Sequence, residues 1–125
     1  FHRGYNEELS HLIEAASDMF LMPSLFEPCG LGQMIAMRYG SVPIVRATGG
    51  LADTVRDGVT GFVFREFSAE AFWNAIRGAM YIYNVDQESW RAIQTNGMTT
   101  DFSWRNSALG YQQLYERAIA KMEGW

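Results

Sequence analysis

The sequence predicts an α/β domain: one parallel sheet with helices on both faces, followed by a helical segment. Three observations lead there. Apolar runs at residues 18–22, 42–45 and 61–64 are short and bounded by Pro or Gly, the mark of buried strands. Stretches of helical periodicity separate them, and strands alternating with helices build a parallel, Rossmann-like, three-layer arrangement. After Phe64 the periodicity is helical throughout.

Taken in order, Gly4-Tyr5 reads as the end of an opening strand stub. A helix follows, N-capped by Asn6 with Glu7 and Glu8 in its first turn, and Leu9, Leu12, Ile13 and Ala16 recur at helical spacing. After the strand at 18–22, residues 31–39 form a second helix that Gly40 ends as C-cap. The strand at 42–45 leads to Gly49 and Gly50, placed where another helix begins. Beyond the third strand, Ser68 caps a helix whose stripe is Phe72, Ile76, Ala79, Met80 and Tyr83. Asp86 caps a shorter one with Trp90 and Ile93 inward. Asp101-Phe102-Ser103 then introduces a long final helix with Ala108, Tyr111, Tyr115, Ala118 and Met122 on one side.

A chain of 125 residues suits a single domain that buries about two-thirds of its unfolded surface. Three strands and a stub are few for a doubly wound unit, so upstream strands are expected to be missing. The chain also opens at Phe1 without an initiator Met or an apolar leader, as an excised piece would. A net charge of −4 with scattered Arg argues against nucleic-acid or anionic-membrane partners. No apolar run approaches the roughly 20 residues of a membrane span. Cys29, the single cysteine, excludes an internal disulfide and suits a reducing compartment. His2 and His11 have no partner at metal-ligand spacing, and no metal site is expected.

Chemistry concentrates in the run Pro23-Ser24-Leu25-Phe26-Glu27-Pro28-Cys29-Gly30-Leu31. Glu27 follows a strand end, so its carboxylate stands over the crevice at the carboxyl edge of the sheet. Pro28 fixes the backbone after it, and Gly30 allows a ligand to approach the amides of Cys29, Gly30 and Leu31. A positive helix end there suits a hydroxyl-rich or phosphorylated ligand, although a carboxylate can also serve only as a helix cap. Glu27 is not read as a nucleophile, since retaining glycosidases flank the bond with two carboxylates and no second acid matches it. Cys29 has no His beside it in sequence to activate a thiolate and reads as a small pocket-wall residue. Thr48-Gly49-Gly50 fits close approach to a diphosphate or a turn needing positive φ. Arg46 is the cation nearest these motifs, and a supporting role is expected of it. Trp73, Tyr81, Tyr83, Trp90 and Trp104 could stack on sugar rings, but their helical spacing favours packing.

The runs Phe-Glu-Pro-Cys-Gly-Leu, Met37-Arg38-Tyr39-Gly40 and Thr-Gly-Gly-Leu-Ala-Asp-Thr-Val occur here in fixed order. With them the chain resembles, from Gly4 to Tyr115, the donor-binding half of the bacterial glycogen synthase and plant starch synthase family. The resemblance implies the C-terminal half of a GT-B glycosyltransferase, with the N-terminal domain of the same protein as its partner. It implies transfer of glucose from ADP-glucose, less readily UDP-glucose, to the non-reducing end of an α-1,4-glucan with retention of configuration. No metal or other cofactor is implied, and the compartment would be the bacterial cytoplasm or the plastid stroma. Glu27 would accept a hydrogen bond from a hydroxyl of the donor glucose as the catalytic candidate, and the amides of Cys29, Gly30 and Leu31 would bind the sugar. Tyr5 would stack on the nucleobase. The wider family places a second Glu eight residues after the first, where this chain has Ile35, so Gln33 is expected to supply polar contact instead. Leu25 and Gly32 also stand where many relatives carry polar or basic residues. A related transferase for another sugar or acceptor, or a non-catalytic nucleotide-sugar binding module, are the competing readings.

Overall fold

The computed structural model describes residues 3–123. The chain runs α1 (Glu7–Ala16), β1 (Met19–Met22), α2 (Gly32–Tyr39), β2 (Val42–Arg46), α3 (Gly49–Thr54), β3 (Phe62–Phe64), α4 (Ala69–Val85), α5 (Gln87–Thr99) and α6 (Trp104–Glu123). The strands pair in parallel in the order β1-β2-β3, with Met19 opposite Val42 and Ile44 opposite Phe62.

β2 is central, and its residues from Val42 to Val45 are buried. Successive side chains leave a strand on opposite faces, so its apolar run serves two cores. Val42 and Ile44 pack with Ala79 of α4 and with Trp90 and Ile93 of α5. Val45 packs with Met37 of α2, Leu51 of α3 and Val55. Helices therefore cover both faces. Trp90 anchors the first core, its ring 6.4 Å from that of Phe62 and 5.1 Å from that of Tyr83, edge-on to the latter. No described helix is long and apolar enough to cross a membrane.

Local signals set the helix ends. Asn6 Oδ1 accepts from the Leu9 N–H at 2.9 Å, Ser68 Oγ from the Ala71 N–H at 3.1 Å and Asp86 Oδ1 from the Ser89 N–H at 3.0 Å. Gly40 ends α2 at φ 83°, a left-handed conformation that favours glycine.

Three expectations need correction or limit. The opening stub is not a strand: Arg3 to Asn6 join no sheet, and the rest of that segment, with His2, lies outside the described residues. Met80 is exposed, and Ala75 and Ile82 take its place in the packed stripe of α4. On α6, Ala108, Tyr111, Tyr115, Ala118 and Met122 do share a side, but every residue from Asp101 to Met122 is exposed.

Candidate functional site

β1 and β2 run parallel and adjacent, so the loops that follow Met22 and Arg46 leave the same edge of the sheet. These loops carry the two motif runs, and the structure joins them. The Gly50 N–H donates to the carbonyls of Glu27 at 3.2 Å and Pro28 at 3.1 Å. A Cβ on Gly49 would stand 2.0 Å from the Glu27 oxygen, and one on Gly50 would stand 2.1 Å from the Cys29 oxygen. Only glycine lets the first turn of α3 lie this close beneath the loop. Gly49 also has positive φ, 45°. The close approach seen at this glycine pair is therefore to the chain's own backbone, and the Gly50 amide is engaged there.

Gln33 corrects a second expectation. It is fully buried, and its Nε2 lies 2.9 Å from the Gly30 carbonyl, 3.0 Å from Thr54 Oγ1 and 3.2 Å from the Cys29 carbonyl. Thr54 Oγ1 in turn donates to the Gly50 carbonyl at 2.6 Å. Gln33 thus ties the motif loop to α3 and offers no exposed polar contact. Gly30 has φ 71°, and a Cβ there would meet Gln33 Oε1 at 2.5 Å, so the buried tie itself demands the glycine.

Arg46 braces the same loop. Its Nε donates to the Ser24 carbonyl at 2.8 Å, Nη1 to the Arg65 carbonyl at 3.3 Å, and Nη2 to the Leu25 carbonyl. The guanidinium also lies 5.4 Å from the centroid of the Phe67 ring. Spread over these carbonyls, the cation fixes backbone at the end of β2.

What remains open to solvent is a rim. Glu27 is partly buried, Pro28 and Cys29 are exposed, and Cys29 is a free thiol. Leu31, at the N-cap position of α2, is exposed and provides no side-chain cap. Thr48, at the N-cap of α3, provides none either. By contrast α1, α4 and α5 each have a side-chain cap. The helices that start from the motif loops thus lack the side-chain caps that α1, α4 and α5 have, and the first N–H groups of a helix lack intrahelical partners. Glu27, Cys29, Gly30, Leu31, Thr48, Gly49 and Gly50 come together here. Tyr5 stands before α1 with 88% of its surface exposed, and no packing within the described residues orients its ring. The tie from Gln33 to Thr54 is the part of the site that the sequence reading missed. The two residues lie 21 positions apart, and no local pattern connects them.

Residues 1–92 match the sequence family described as Glycosyl transferases group 1. Among curated proteins, the glycogen synthase of Desulforudis audaxviator is 53% identical over 127 aligned residues, covering 97% of this chain and 25% of that protein. Glycogen synthase 2 of Geobacter sulfurreducens is likewise 53% identical, over 97% of this chain and 26% of its own length. Among solved structures, the catalytic domain of starch synthase IV from Arabidopsis thaliana, bound to ADP and acarbose, is similar with a TM-score of 0.82. It is 47% identical, over 94% of this chain and 26% of that one. Sucrose-phosphate synthase from Thermosynechococcus elongatus gives a TM-score of 0.71 at 31% identity, over 97% of this chain and 30% of that one. The chain spans about a quarter of the length of the curated relatives it matches.

Proposed function

The chain belongs to the glycosyl transferases group 1 family, and from that premise we propose that it is the donor-binding part of a longer glucosyltransferase of the glycogen and starch synthase kind. The proposed enzyme transfers glucose from ADP-glucose to the non-reducing end of an α-1,4-glucan, with retention and without a metal or other cofactor. One observation carries this reading: two glycine-bearing loops are locked together at the carboxyl edge of a parallel sheet, where α2 and α3 start without side-chain caps. The start of α2 presents N–H groups and a positive dipole end to a hydroxyl-rich, anionic ligand, while at α3 the Gly50 N–H is already held by the Glu27 and Pro28 carbonyls. The names of the relatives supply the substrate class.

In this proposal Glu27 accepts a hydrogen bond from a glucose hydroxyl, and the backbone from Cys29 to Leu31 contacts the sugar. Thr48 and Gly49 lie toward the diphosphate, and Tyr5 stacks on the nucleobase. The departing diphosphate takes the acceptor proton, so its electrostatic stabilisation is the main catalytic task. Arg46 is committed to loop carbonyls. In this proposal the cations for that task, like the acceptor site, belong to the remainder of the longer enzyme. The exposed Cys29 thiol fits a reducing compartment, a bacterial cytoplasm or a plastid stroma.

The test is transfer of labelled glucose to maltotriose and to glycogen by the full-length protein, with ADP-glucose and UDP-glucose compared in the presence of a chelator. Chelator-resistant transfer with ADP-glucose preferred is expected. Preference for UDP-glucose overturns the donor assignment, and no transfer from either donor overturns the function.

A further inference from the structure

More acceptors converge on the Gln33 amide than it has protons to give. Nε2 carries two N–H groups, and three oxygens face it: the Gly30 carbonyl at 2.9 Å, Thr54 Oγ1 at 3.0 Å and the Cys29 carbonyl at 3.2 Å. Thr54 gives its own hydroxyl proton to the Gly50 carbonyl at 2.6 Å, so toward Gln33 it can only accept. The other end of the amide is empty. Gln33 Oε1 is buried with no hydrogen-bond partner among the described residues. A buried acceptor left unpaired costs stability, so what this amide contributes is its donors.

Those donors set the direction of two peptide groups. A trans peptide points its C=O and its N–H to opposite sides, and no described peptide bond is cis. With the Cys29 and Gly30 carbonyls drawn to buried Gln33, the Gly30 and Leu31 N–H groups are turned away from it, toward the rim. Neither N–H donates to another described backbone group. Gly30 has φ 71°, and Leu31 lies in the right-handed helical region at φ −107° and ψ −30°. Successive residues of opposite hand turn their N–H groups to one side and form a concavity for an anion. The dihedral angles and the Gln33 clamp thus agree on where the two N–H groups point.

We propose that Gln33 and Thr54 are positioning residues for the donor: by holding two carbonyls inward they aim the Gly30 and Leu31 N–H groups at the hydroxyl-rich, anionic part of the nucleotide sugar. The proposal rests on the donor-binding reading above and adds what sets those amides in place. Both side chains act through the backbone, without contact to the ligand. Amides already oriented need no rearrangement as charge develops on the departing diphosphate. The requirement is chemical, because a carboxylate the size of the Gln33 amide has no N–H to offer two carbonyls. In Gln33→Glu the peptides should turn over at Gly30, which tolerates either sign of φ, and bring their N–H groups inward.

The test is calorimetric titration of the full-length protein with ADP-glucose, with melting temperature and amide hydrogen exchange measured on the same variants. Gln33→Met has similar reach and no donor, and it also removes the unpaired oxygen. It should keep the wild-type melting temperature within about 2 °C while weakening ADP-glucose binding about tenfold. Thr54→Val keeps the shape without the hydroxyl and should weaken binding about threefold or more, and Thr54→Ser should restore it. The Gly30 and Leu31 amides should exchange freely in the wild type and about tenfold more slowly in Gln33→Glu. Wild-type affinity in Gln33→Met overturns the proposal, whatever its melting temperature. Where Gln33→Met does not fold, the Thr54 pair decides alone, and equal affinity in the Val and Ser variants overturns it. Unchanged exchange of both amides in Gln33→Glu overturns it too. A wild type that binds neither ADP-glucose nor UDP-glucose removes the donor-binding reading itself, while the exchange comparison still decides whether Gln33 sets the amides.

Discussion

Glu27 owes its position to backbone contacts. The Gly50 N–H holds its carbonyl, and Gln33 and Arg46 hold the loop on either side of it. A change confined to the Glu27 side chain should therefore leave the fold intact. In the full-length protein, Glu27→Gln is expected to lower kcat/KM for ADP-glucose by the equivalent of about 1.5–3 kcal/mol, the range of a charge-assisted hydrogen bond. Glu27→Ala should lose at least as much with an unchanged melting temperature, and near wild-type turnover would remove Glu27 from the site. Gly50→Ala is the opposite case, because the new Cβ would press on the Cys29 backbone at 2.1 Å and the loop has to move. Overpacking of this kind costs about 1–3 kcal/mol, so urea denaturation should show lower stability and titration weaker ADP-glucose binding. Unchanged values in both would mean that the two loops are not locked together. The motif residues were legible because each has a local signature: a carboxylate after a strand, a proline, a glycine before a helix. Gln33 was misread because its role is set by Thr54, which reaches it only through the folding of β2 and α3.

At the scale of elements, the strand and helix assignments came out within a residue or two of the sequence reading, because caps and apolar runs are local. The inward set on α4 was less legible, since Met80 and Ile82 are both apolar and only the packing against β2 and β3 separates them. The strand stub failed because Gly4-Tyr5 supplies too short a run for its pattern to be tested. The cap of α5 permits a test by pH. The Ser89 hydroxyl donates to Asp86 Oδ2 at 2.6 Å, and this bond, with the Ser89 N–H, holds the Asp86 carboxyl below its ordinary value. The native state then binds a proton less readily than the unfolded chain. The cap contributes fully above the unfolded value of about 4 and is lost as pH falls through the lowered native value. Asp86→Asn should flatten this part of the acid limb, measured as melting temperature from about pH 6 to about pH 3. Asp101, lowered chiefly by the Ser103 hydroxyl, keeps its own contribution in that variant and serves as the internal control. An acid limb identical to wild type would show that the Asp86 cap adds nothing to stability.

For the whole molecule, the decisive feature is α6. Its exposed face carries Trp104, Ala108, Tyr111, Tyr115, Ala118 and Met122 at alternating spacings of four and three, and Trp104 exposes 83% of its surface. A stripe of that period is built to be covered. The family match ends at residue 92, and the chain spans about a quarter of its curated relatives' length. Both facts fit the proposal that the longer enzyme supplies the cover, and that the rim around Glu27 is half of a site. Most of a helix's stability in a protein comes from tertiary packing of its apolar face rather than from propensity. Amide hydrogens of α6 should therefore exchange close to their intrinsic rates in the isolated chain and be strongly protected in the full-length protein. ADP-glucose should bind the isolated chain at least about tenfold more weakly, a loss of about 1.4 kcal/mol or more, because the diphosphate would lack the cations that Arg46 does not provide. Phe102, Trp104 and Tyr111 should become buried on addition of the remaining domain, raising the melting temperature with the affinity. The two readouts can part. Protection of α6 without a gain in donor affinity would make the helix a structural strap, and the donor site would then be complete within this chain. Equal affinity in the isolated chain and the full-length protein would end the half-site proposal whatever α6 does.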